Sequence, residues 1–173
     1  AIVLDKQDPK WALALEPRDA KGAYQFAKAL HQSQLYRAKY PNAEAIFAVI
    51  LRGRSLGLDM MTALDGFHVI EGVPRMSAML GIAVVKSSGK AEYFELVEST
   101  PEKATWRTKR KDEAKEHRMS FSVADAHRIG LDKPTRNGKE SNWVKWPGPM
   151  CRKQAGFELA RAIYPDVINN LYD

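Results

Sequence analysis

Near Ala91 the spacing of apolar residues changes from helical to alternating, and that switch decides what architecture the chain can adopt. Residues 18–35 place Ala20, Ala23, Tyr24, Ala27 and Leu30 three and four apart, the stripe of an amphipathic helix. From Ala91 onward three segments, AEYFELVEST, KATWRTKRK and HRMSFS, alternate apolar and polar side chains instead, as half-buried strands do. Helical spacing returns toward the end. The expected fold class is therefore α+β: a small antiparallel sheet, with hairpins near 67–76 and 92–121, packed with about five helices in a single domain over 1–173.

Local signals mark the element ends. Asn42, after Pro41, is placed to cap a helix running through Ile46, Phe47, Ile50 and Leu51 to about Gly57. Asp59 and Asp65 bracket another predicted helix. Phe67–Glu71 and Val73–Met76 flank Gly72 as a short hairpin, with Pro74 at an edge position because it cannot donate to a ladder. Ser77 caps the segment AMLGIAVVKSS, apolar almost all round and so expected to be buried, which Gly89 ends. Ser122 and Asp125 form a capping box opening a short helix that Gly130 closes. LDKPTRNGKES is a loop. A last helix is expected to begin near Pro149 and continue to Tyr164, where Pro165 stops it.

A chain of 173 residues with 45% hydrophobic content can bury a core without disulfides or structural metal. It has one cysteine, Cys151, so no disulfide framework or thiolate cage can form within it, and a reducing cytosol is the expected compartment. No apolar run approaches a membrane span, and the opening AIVLDKQDPKW becomes charged too quickly for a signal peptide. The first residue is not Met. The net charge of +6 is unevenly placed: residues 1–102 carry 12 basic and 12 acidic side chains, residues 103–173 carry 15 and 9. Such a skew points to an acidic partner, nucleic acid above all.

Catalytic groupings are thin. The four histidines, His31, His68, His117 and His127, match no zinc-binding spacing. Glu92, Glu95 and Glu98 cannot share one face of a regular strand, so they read as solvated strand positions rather than a magnesium site. Gly89-Lys90 and Gly138-Lys139 are not followed by Ser or Thr, so there is no Walker A loop and ATP is not expected as a cofactor. Cys151 could be activated by Arg152 and Lys153, but its spacing with Ala155, Leu159 and Ala162 reads as a buried small residue.

A basic surface is what remains. Alternation puts Ala104 and Trp106 on one side of a strand and Lys103, Arg107 and Lys109 on the other; in the next strand Met119 and Phe121 share a face opposite Arg118 and Ser120. With the apolar sets turned inward, the outer surface is expected to be a dense basic ladder, to which Arg110 is added. Lys133, Arg136 and Lys139 form a second basic group, and Lys145, Arg152, Lys153 and Arg161 a third. Several such side chains are needed together, because phosphate affinity sums over released counterions. Trp143 and Trp146 flank Lys145, which suits base stacking or, alternatively, a core plug. Gly156 and Ala160 share a helix side with Lys153, permitting close approach of either another backbone or a neighbouring helix.

Three stretches resemble the RecT family of phage single-strand annealing proteins, relatives of the Red-beta recombinases. They are RGRSLGLDMMTALDGFHVI, a helix ending in Leu-Gly-Leu followed by a Thr-containing turn and a strand; VPRMSAMLGIAVVKSSGKAEYFELV, a helix leading through Ser-Gly into a strand; and NWVKWPGPMCRKQAGFELARAIYPDV, with its Trp, Met, basic pair and Arg before an aromatic-Pro step. Together they span about 52–168. The resemblance implies ATP-independent annealing of complementary single-stranded DNA with no chemical step, in the cytoplasm of a bacterial host. It implies no cofactor, Mg²⁺ not being required. It also implies a homo-oligomeric ring or helical filament holding single strands and the annealed duplex, with a phage exonuclease or a host single-strand-binding protein as further partners. By position it makes Arg75, Lys86, Lys145, Arg152, Lys153 and Arg161 the groove candidates, to which the strand reading adds Lys103, Arg107, Lys109 and Arg118. Trp146-Pro147-Gly148-Pro149 and the compact 67–76 hairpin depart from the family pattern. The rival expectations are a divalent-metal nuclease, another DNA-binding protein that does not anneal, and a structural protein whose basic face meets an acidic protein.

Overall fold

A computed structural model describes residues 16–134 and 137–168. The fold is α+β, with eight helices and two small antiparallel sheets among those residues. The chain divides into two compact units, one ending at Arg75 and the other beginning at Met76. Among the described residues no helix is long and apolar enough to cross a membrane.

In the first unit α1 (Ala20–Gln32) is capped by Asp19, whose carboxylate accepts from the Gly22 N–H at 2.7 Å, and it buries Ala23, Ala27 and Leu30. Asn42 likewise caps α2 (Ala43–Ser55), which buries Ile46, Val49 and Ile50. The predicted helix between Asp59 and Asp65 is α3 (Met60–Gly66), so Thr62 lies within a helix and not in a turn. A Cβ on Gly53 would come within 2.2 Å of the Ala63 Cβ, so glycine is what lets α2 and α3 approach this closely. Tyr40 is fully buried, its hydroxyl shared between the Leu64 and Phe67 carbonyls at 2.6 and 2.7 Å. A hairpin follows: β1 (Phe67–Ile70) and β2 (Val73–Met76) form a sheet of their own, joined by Glu71 and Gly72 at φ 52° and 79°. Positive φ at both central positions is the two-residue turn whose twist matches paired strands.

In the second unit α4 (Ala78–Ser87) begins at Ser77, which accepts from the Leu80 N–H. The strands β3 (Ala91–Ser99), β4 (Lys103–Arg110) and β5 (Glu116–Ser122) then form an antiparallel sheet with β4 in the centre. The expected capping box opens α5 (Val123–Arg128). Two short helices, α6 (Asn142–Lys145) and α8 (Pro165–Ile168), bracket the long α7 (Pro147–Ile163).

Two boundaries at prolines differ from the sequence reading. The last long helix starts at Pro147, two residues early, because both Pro147 and Pro149 fit a first turn whose N–H groups have no intrahelical acceptor. Pro165 ends that helix but opens another single turn, for the same reason, and Ile168 of that turn is buried.

The sheet's inner face packs on α7. Ala104, Trp106, Thr108 and Arg110 point inward; the Trp106 indole N–H donates to the Arg152 carbonyl at 2.9 Å, and Thr108 hydrogen-bonds the Tyr164 hydroxyl at 2.6 Å. Ala104, Ala126, Trp143, Cys151 and Ala155 form a buried cluster completed by Phe121, Leu131 and Met150. Cys151 is thus a core residue, and burial pushes its thiol pKa up, away from nucleophilic use. Gly156 faces Ile82 and Trp106, where an added Cβ would meet Ile82 Cδ1 at 2.7 Å. Its small size serves the helix–helix contact.

Candidate nucleic-acid interface

The outer face of the three-stranded sheet is not the basic ladder that alternation predicts. Lys103, Arg107, Lys109 and Arg118 do share it, but each meets a carboxylate. Arg107 Nε donates to Glu95 at 2.6 Å and Nη1 approaches Glu116 at 3.4 Å; Lys109 pairs with Glu92 at 2.8 Å, Lys103 with Glu98 at 3.1 Å, and Arg118 with Glu116 at 2.6 Å. Tyr93 adds its hydroxyl to Glu116 and its ring to the Arg107 guanidinium. Hydrogen bonds from Lys103 and Thr105 hold Glu98 below the usual carboxylate range, and those from Tyr93 and Arg118 do the same for Glu116, so both stay ionised. Four cations facing four anions leave the face electrically neutral.

The cause is two irregularities in β3. Its register with β4 skips between Ala91 and Tyr93 and again between Leu96 and Glu98. Each bulge inserts one unpaired residue and shifts the alternation by one, so glutamates three apart come to the same side. Glu92, Glu95 and Glu98 therefore reach one face, which a regular strand forbids. They do so as counter-ions: among the described residues no group of three His, Cys, Asp or Glu side chains is arranged to hold a metal ion.

Arg110 is likewise withdrawn from any ligand. It lies on the inner face, its side chain 9% exposed, held by Asp112 at 2.8 and 2.9 Å, Asp166 at 2.8 Å and the Ile163 carbonyl at 3.0 Å, with the guanidinium over the Tyr164 ring. Lys90 closes the cluster on Asp166 at 2.5 Å.

A different place gathers basic and aromatic groups. Where α6 gives way to α7, Lys145, Trp146 and Arg152 meet Ser99, Thr100 and Pro101 around an open hollow of about 400 Å³, with Pro147, Gly148 and Pro149 completing it. None of these lining residues is acidic. Arg152 Nη1 donates to the Ser99 hydroxyl at 3.0 Å and has no carboxylate partner among the described residues; Lys145 stands 3.8 Å from Glu140. The two neighbouring tryptophans separate: Trp143 is buried at 8% exposure, against Phe121, whereas Trp146 is 64% exposed.

The other candidates are scattered. Lys86, in the last turn of α4, and Lys153, on α7, are exposed and make no ion pair among the described residues. Arg161 lies 3.5 Å from Glu158 and is half-buried. Arg75 is a half-buried β2 residue of the first unit. In the loop, Lys133 and Lys139 are exposed, while Arg136 lies outside the described residues. Sequence reasoning missed Ser99, Thr100 and Pro101, which carry no charge and become neighbours of Trp146 only through the fold. The three glutamates were visible, but their role depends on the bulges.

No family model matches the chain, and the search of curated proteins returned no match.

Proposed function

We propose that the protein binds single-stranded DNA and anneals complementary strands without ATP, in the cytoplasm of a bacterial host and as a homo-oligomer. The observation that carries this reading is the hollow at the start of α7, where Lys145 and Arg152 flank an exposed indole with no acidic residue in the lining. Cations supply sequence-independent attraction to phosphates, and an aromatic face suits unpaired bases. The resemblance of three ordered stretches to the RecT family supports the same reading.

In this scheme Lys145, Arg152 and Lys153 hold one strand by its phosphates and leave the base edges free for a complementary strand. Annealing follows when the assembled protein brings two strands held in this way together with their base edges free. No bond is made or broken.

The test is the annealing rate of complementary oligonucleotides at low salt without nucleotide. Acceleration over the spontaneous rate is expected; its absence rejects the reading, and shortening of the oligonucleotides on adding Mg²⁺ or Mn²⁺ replaces it with a nuclease. Reversing both Arg152→Glu and Lys153→Glu is expected to abolish binding. Electron micrographs with and without single-stranded DNA are expected to show rings or filaments.

A further inference from the structure

We propose that the hollow beside Trp146 receives one unpaired nucleobase, stacked on the indole, with its flanking phosphates at Lys145 and Arg152, and so makes the protein prefer single strands to duplex. This rests on the single-strand-binding reading above and deepens it by naming what discriminates the strand.

Leaving a large apolar ring 64% exposed is costly in water, and its neighbour one turn earlier is buried in the core. The backbone of Trp146 is fixed between two helices. Trp146 caps the C-terminal end of α6, its N–H bonded to the Asn142 carbonyl at 2.8 Å, and immediately precedes α7, with Pro147 fixing the chain that follows. A backbone fixed before binding lowers the ordering cost when a base stacks on the indole.

The walls fit the same occupant. Pro101 and Pro149 offer apolar surface, while a Cβ on Gly148 would lie 3.1 Å from the Thr100 carbonyl, so the loop after β3 is pressed against the start of α7. Stacking uses a base's face and leaves its pairing edge open, so the contact is compatible with annealing. A base within a duplex has no free face to offer.

The experiment measures affinity of the full chain for oligo(dT), for an abasic oligonucleotide of equal length and for duplex, with Trp146→Ala and Trp146→Phe. The expected result is that Trp146→Ala weakens oligo(dT) binding about tenfold, leaves the abasic strand unchanged and narrows the preference over duplex, while Trp146→Phe retains most of the affinity. Quenching of tryptophan fluorescence by oligo(dT) is expected to disappear in Trp146→Ala. If oligo(dT) and the abasic strand bind the wild-type protein equally, and Trp146→Ala changes neither, base stacking is overturned while single-strand binding stands. If the wild-type protein binds no oligonucleotide, both readings fall together.

Discussion

Arg110 shows how little a basic residue's position in sequence says about its use. It sits in the run Lys109-Arg110-Lys111, yet it is turned inward and tied to Asp112, Asp166 and the end of α7. Truncating it leaves Asp166 with Lys90 alone and strips the Ile163 carbonyl of a charged donor. Arg110→Ala is expected to cost about 2 kcal/mol of stability in urea unfolding, with oligonucleotide affinity of the folded protein unchanged. A lost affinity at full stability would instead place Arg110 in the interface. The same cluster sets a pH dependence. Hydrogen bonds from Arg110 and Lys90 hold Asp166 well below its ordinary 3.8, so the folded state binds its proton less readily than the unfolded chain. That contribution is fully present above about pH 4 and is lost as pH falls toward the depressed folded value. Asp166→Asn is expected to flatten the fall in stability below pH 4 in acid titrations followed by circular dichroism.

Among the elements, β3 has the largest effect on the candidate interface. Its two bulges deliver Glu92, Glu95 and Glu98 to Lys109, Arg107 and Lys103, converting a basic face into a neutral one. Replacing all three with glutamine would free Lys103 and Lys109 and remove the nearer of the two carboxylates at Arg107, which keeps Glu116 at 3.4 Å, without altering the ladder's backbone. The triple variant is expected to bind single-stranded DNA more tightly at low salt, with a log–log salt slope steeper by about 2, at about 0.7 per added phosphate contact. A slope that stays near −3 in both proteins would mean that the sheet face meets no DNA even when basic. Much of the local structure was legible beforehand, since the Asn42, Ser77 and Ser122 caps, the Gly72 turn and the inward Ala104–Trp106 face depend on side chains close in sequence. The bulges were not, because nothing local at Glu92 or Val97 marks an extra residue; the register follows from pairing with β4. The fates of Trp143 and Trp146 were equally hidden, since their difference arises from the loop after β3 and from the packing of Phe121.

At the scale of the whole molecule, the charge skew takes a different meaning once the pairing is known. Counting from residue 103 cuts between β3 and β4, placing four paired cations on one side and three of their glutamate partners on the other. Counted over residues 76–173, the second unit carries 17 basic and 13 acidic side chains, an excess of four. The excess over 103–173 alone is six. Among the described residues, the candidates in this unit with no close carboxylate are Lys86, Arg152 and Lys153, joined by Lys145 at its longer distance from Glu140. Four phosphate contacts per protomer give an expected log–log salt slope of about −3, whereas contacts from all ten candidates would give about −7. Titrating oligo(dT) binding from low to moderate salt therefore distinguishes a footprint confined to α4, the hollow and α7 from one spread over the sheet. A slope near −7 would require the glutamate pairs on the sheet to open on binding, and the triple glutamine variant would then leave that slope unchanged.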